Sequence, residues 1–214
     1  MLNIRFGFTA LMLCFVFTLP SSAFELFEFN GWDHALISTG GQTFTDVSGD
    51  LDVFVESVGA FDADSTYVMS TGGSMDAAIR SEHTGIGSHS FIFHFSRPID
   101  AIVDFTRVDT QELLGIYGIG PEVYTHVSGN LPTEMVDGSG MTLQGNGFGV
   151  MAANGHVQVG PTTVLTVSYG ALVDGSTKFL DFNVGQIVPE PGCCSLLALG
   201  LLGMLQTLRR RRDR

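Results

Sequence analysis

The sequence predicts an all-β body, an antiparallel β-sandwich of jelly-roll-like type, set between two ends that are not part of the fold. Three observations predict it. Apolar and polar residues alternate with period two along most of the middle of the chain. Clusters of Gly, Ser, Asp and Asn interrupt the alternation every ~8–15 residues, the spacing of sandwiches and barrels. Apart from the two ends, no convincing helical period is present.

The strands follow in order. Leu51, Val53 and Val55 oppose Asp52, Phe54 and Glu56. His89, Phe91, Phe93 and Phe95 share one face, with Ser90, Ile92, His94 and Ser96 on the other. Ile99, Ala101, Val103 and Phe105 alternate with Asp100, Ile102, Asp104 and Thr106. Thr163, Leu165, Val167 and Tyr169 oppose Thr162, Val164, Thr166 and Ser168, and Phe179 to Ile187 forms a last strand. β-branched and aromatic residues fill these runs because they fit a pleated, half-buried surface. Turns are expected at Thr39-Gly40-Gly41, Ser48-Gly49-Asp50, Thr71-Gly72-Gly73-Ser74, Ser128-Gly129-Asn130 and Asp137-Gly138-Ser139-Gly140, where positive φ or side-chain bonding is needed. A short helix near Ser74–Ile79 is the one helical candidate inside the body. About ten strands in two sheets result, with Phe side chains interdigitating between them. Trp32, the only Trp, is expected to plug the end of that core, the alternative being an exposed loop Trp that stacks on a sugar ring.

The chain has 214 residues, of which 15% are charged, 27 are Gly and 17 are Phe. So much aromatic surface must be buried, which excludes intrinsic disorder. Between Phe24 and Val188 lie four basic and twenty acidic residues, a formal charge of −16. An acidic body repels nucleic acid, so no nucleic-acid partner is expected. That span has no Cys, so its stability rests on a hydrophobic core rather than disulfides.

The N-terminal end has Arg5, an apolar run from Phe6 to Leu19, and small residues at Ser21 and Ala23. These are the three parts of a secretory signal peptide over 1–23, with cleavage expected between Ala23 and Phe24. A buried N-terminal helix is the alternative. The body then spans 24–187. The C-terminal end, 188–214, reads Val188-Pro189-Glu190-Pro191, an apolar helix over 192–208, and a basic tail over 209–214. Seventeen helical residues span ~25 Å, short against a ~30 Å hydrocarbon core. The guanidinium groups of Arg209, Arg210, Arg211, Arg212 and Arg214 would hold the tail on the cytoplasmic side. Pro189 and Pro191 lack amide donors and favour extended neighbours, which keeps the motif out of helix and central strand.

This succession of Pro-Glu-Pro, weak hydrophobic helix and Arg cluster resembles the PEP-CTERM sorting signal of bacterial exported proteins. The resemblance covers Val188 to Arg214. It implies recognition and cutting by an exosortase-type membrane protease, transit through the inner membrane, and a destination at the cell surface or in an exopolysaccharide matrix. A permanent membrane anchor is the alternative. The stretch Ser88 to Ile99 also resembles a strand pair of PEP-CTERM ectodomains, in which a Phe-alternating strand turns at a Pro into a second apolar strand.

Chemistry is sparse. His34, His83, His89, His94, His126 and His156 show no ligand spacing, and His89 and His94 fall on opposite faces of one strand, so no metal site is expected. No Gly-x-Ser-x-Gly elbow is present. The expectation is a non-catalytic protein that uses no cofactor. Calcium is the one ion the acidic turns around Asp46, Asp50, Asp52, Asp62 and Asp64 would suit. A carbohydrate- or calcium-binding module on the same sandwich is the alternative function, and a secreted hydrolase the third.

Overall fold

The computed structural model describes residues 22–59, 68–70, 78–83, 86–137, 140–172 and 178–189. The elements are β1 (Ser22–Leu26), α1 (His34–Thr39), β2 (Gln42–Ser48), β3 (Leu51–Gly59), β4 (Val68–Ser70), β5 (Ala78–His83), β6 (Gly87–Val108), β7 (Glu112–Tyr117), β8 (Glu122–Ser128), β9 (Thr133–Asp137), β10 (Gly140–Gln144), β11 (Ala153–Ala171) and β12 (Lys178–Pro189). The compact body runs from Glu25 to Ile187. The all-β, antiparallel expectation holds.

The strands join in one hydrogen-bonded sheet in the order β4-β5-β12-β6-β11-β7-β10-β9. β2 pairs with β3, β3 with β6, β8 with β11 and β1 with β12. The sequence predicts two sheets; the reason for one is the length of β6 and β11, at 22 and 19 residues. The first half of β6 pairs with β3, and its second half with β12. β11 stays beside β6 throughout, from Ala171↔Gly87 to Ala153↔Val108, with register shifts between Val159 and Val164. The ladder is interrupted opposite Pro98, which has no amide to donate.

Folding at this interruption brings the two halves face to face, which makes the body sandwich-like. Phe91 and Phe93 on the first half lie 5.7 and 6.5 Å, between ring centroids, from Phe182 on β12. Phe182 is itself paired with Phe105 on the second half. Strands that pass from one layer to the other through bulges are the usual way to turn such a corner.

The strand faces follow the alternation. Leu51, Val53 and Val55, then Phe91, Phe93 and Phe95, then Ile99, Ala101, Val103 and Phe105 are all buried. Three expectations need correction. Pro98 does not turn the chain back into a second strand; β6 continues through it. Thr163 is exposed and Thr162 is buried, because the two register shifts between Val159 and Val164 interrupt the alternation there. Thr162 Oγ1 donates to the Val164 carbonyl at 2.6 Å and accepts the Val164 amide at 3.1 Å, which satisfies the groups the bulge frees. Ala78 and Ile79 begin strand β5 rather than end a helix; 74–77 lie outside the described residues.

Helix α1 is not visible in the sequence pattern, because six residues are too few to show a period. Its signal is Asp33, an N-cap whose carboxylate accepts the amides of Ala35 and Leu36 at 2.9 and 3.3 Å. Trp32 packs beside it as expected. It stacks on Phe44 at 5.7 Å and meets Phe29 and Phe91 at the rim of the core.

Phe182 is fully buried and touches both layers, so Phe182→Ala should cost ~3–5 kcal/mol of unfolding free energy. Urea denaturation checks this; a loss under ~1 kcal/mol would mean the layers do not close on that ring.

Candidate functional site

The sequence places function at the two junctions of the body, and the structure adds a polar clasp between them. Ser48 Oγ donates to Glu25 Oε2 at 2.6 Å. Gln186 Nε2 donates to Glu25 Oε2 at 3.2 Å and to Ser48 Oγ at 2.6 Å. Alongside, the Phe27 amide donates to the Val184 carbonyl at 2.8 Å. Gly185 is required here, because any Cβ would collide with the Glu25 carbonyl. The Ser48 hydroxyl, then the Gln186 amide, hold the Glu25 carboxyl below the usual range, with burial a smaller opposing effect. Three residues 161 positions apart at their extremes carry no local signal, which is why sequence reading misses them.

Of the expected processing residues, Ala23 and Phe24 are exposed on β1 and Val188 is half-buried on β12. β12 carries the chain extended as far as Pro189. Glu190, Pro191, the segment 192–208 and Arg209, Arg210, Arg211, Arg212 and Arg214 lie outside the described residues, as does the signal segment through 21. Among the described residues no helix is long and apolar enough to cross a membrane.

Beside the clasp an open cleft of about 450 Å³ is lined by residues that include Glu25, Glu28, Asn30, Thr43, Thr45 and Asp46. The acidic turn next to it is occupied with its own geometry. Asp46 has φ 55°, and its amide donates to Asp52 Oδ1 at 3.1 Å. Asp50 lies 3.6 Å from Arg97 Nε in an exposed pair, which contributes little. Among the described residues no three His, Cys, Asp or Glu converge as a metal site. Asp62 and Asp64 lie outside those residues.

The His residues are dispersed. His89 is buried and His94 half-buried on opposite faces of β6. His94 Nε2 is 2.9 Å from Glu56 Oε1. His126 Nδ1 is 2.9 Å from the Tyr124 hydroxyl. Burial, then Glu134, pushes that hydroxyl's pKa up to about 12. His156 is paired in register with Asp104, whose pKa is raised by burial and drawn partly back by His156. The side chains of His34 and His83 are not among those described.

One buried polar pair was not anticipated. Glu112 occupies an inward position on β7 at 1% exposure. Tyr169 on β11 donates its hydroxyl to Glu112 Oε1 at 2.9 Å, and the Asp109 amide donates to Oε2 at 2.7 Å. Burial and the adjoining carboxylate push the Tyr169 phenol well above its ordinary pKa. The pair pins the β6–β7 turn to β11. Its sequence signal is a Glu at an inward place of the alternation in Glu112-Leu113-Leu114.

No protein-family model matches the chain, and no curated protein matches it significantly.

Two outcomes follow from this geometry. Tyr169→Phe leaves a buried carboxylate oxygen without that donor and should cost about 1–3 kcal/mol by chemical denaturation. Glu25 has a folded pKa lower than its unfolded value, so its stabilisation is present above the ordinary 4.5 and is lost as pH falls through the lower folded value. The thermal midpoint of Glu25→Gln should therefore fall below wild type at pH 7 and converge with it at strongly acidic pH. A constant gap across that range would show that the clasp does not titrate.

Proposed function

We propose that this is an exported, non-catalytic protein with a jelly-roll-like sandwich body, delivered to the cell surface or extracellular matrix by a C-terminal sorting signal. The observation that carries the reading is the succession Pro189-Glu190-Pro191, the short apolar segment 192–208, and the cluster Arg209, Arg210, Arg211, Arg212 and Arg214, downstream of the signal-peptide pattern over 1–23. The signal peptide sends the body outward and the Arg cluster resists following it, so the two ends agree on one orientation. The apolar segment is short for a permanent span, which suits a transient tether. An exosortase-type membrane protease is the partner that cuts near Pro189–Pro191.

Two features of the body support this reading. β12 reaches Pro189 as an extended strand, the geometry a protease active site accepts. The clasp of Glu25, Ser48 and Gln186 ties the two ends of the body together two residues before Val188, ahead of the motif.

Intact-mass measurement of the protein recovered from its host tests the proposal. The expected mature chain begins at Phe24 and ends near Pro189–Pro191. A mature chain that still ends in Arg214 contradicts the cleavage. Replacing the five tail Arg residues by Ala should leave the uncut precursor as the main species.

A further inference from the structure

The outward face of β3, β6, β11 and β7 carries two aromatic rings that the core does not use. Tyr117 lies across the backbone of Gly115, where an added Cβ would stand 2.7 Å from the ring. Its hydroxyl reaches Thr142 Oγ1 at 3.2 Å, so the ring reclines along the sheet instead of standing up from it. Phe54 lies in the same way over Gly41, whose φ of 92° also calls for glycine. It meets the His94 ring at 5.7 Å. Both rings are half-buried, each with one side against glycine backbone.

Their separation follows from the register. Phe54 pairs with His94, Ile92 with Thr166, and Thr166 with Tyr117. Crossing from β3 to β7 takes three strand spacings, so the backbone positions of the two residues stand roughly 15 Å apart. The register places His94, Ile92 and Thr166 between them, and a hydroxyl pair stands in the next row, level with Gly115. Ser90 and Ser168 share a hydrogen bond at 2.6 Å, and Thr166 lies on the same face. Glu56 Oε1 and His94 Nε2 lie 2.9 Å apart on the same face and add polar groups to it.

We propose that this face is a binding platform for an uncharged polysaccharide. A pyranose ring offers an apolar face of C–H groups and a rim of hydroxyls. Flat aromatic rings take the first, and side-chain hydroxyls and the Glu56–His94 pair take the second. Charge selects within this class. The body carries four basic against twenty acidic residues, so it repels polyanions and leaves neutral glycans unopposed. The platform belongs to the body alone and stands whether or not the tail is a sorting signal. It also moves the stacking role away from Trp32, which the core rim holds.

Affinity electrophoresis of the full chain tests this, in native gels containing hydroxyethylcellulose, galactomannan or dextran, with alginate as the polyanion. The detergent is a polyoxyethylene ether, which has no sugar headgroup to compete. Retardation is expected in at least one neutral gel and none in alginate. The Phe54→Ala and Tyr117→Ala variants should each bind about tenfold more weakly. Thr166→Arg is a second route: it blocks the middle of the track from an outward position and should abolish retardation with the thermal midpoint nearly unchanged. Wild-type mobility unaffected in every neutral gel, retardation by alginate instead, or all three variants retarded like wild type would each overturn the proposal.

Discussion

Hydrogen bonding between β6 and β11 runs the length of the body, from Gly87 opposite Ala171 to Val108 opposite Ala153, and both layers hang from it. β3 attaches to one half of β6 and β12 to the other, while β7 and β8 divide β11 in the same way. The relief in the middle of this ladder lies where Pro98 offers no donor and the Val159–Val164 stretch of β11 shifts register. Thr162 makes that relief affordable by supplying side-chain bonds to the local backbone. Folding there sets Phe91 and Phe93 against Phe182, and with no Cys between Phe24 and Val188 this apolar closure is what holds the body.

The faces of the central strands were legible in the sequence, because alternation reports directly which side meets the core. Leu51-Val53-Val55 and Phe91-Phe93-Phe95 are buried where the pattern puts them. Connectivity between layers was not legible. A Pro inside an apolar run signals a break in hydrogen bonding, yet it does not say whether the chain reverses or passes on into another layer. Thr163 shows the same limit on a smaller scale, since the irregularity between Val159 and Val164 breaks the alternation locally while odd positions stay buried on both sides.

Site features divide in a similar way. The processing signals we propose are contiguous and composition-driven, so the proposal rests on the chain alone. The Glu25–Ser48–Gln186 clasp and the Glu112–Tyr169 pair are assembled from distant segments, and only the register brings them together. Phe54 and Tyr117 were hidden for another reason. Each is one outward residue among many, and its meaning comes from the glycine beneath it and from the strands lying between the two rings.

In the function we propose, the body acts outside the cell and is tethered only until release, with the Glu25–Ser48–Gln186 clasp ahead of the release point. Pulse–chase labelling of the protein in its host, with one epitope in the Ser48–Asp50 turn and a second after Arg214, tests this most directly. The account predicts a precursor that carries both epitopes at the start of the chase and gives way to a surface form carrying the first alone. A single species that keeps both epitopes throughout the chase would contradict it.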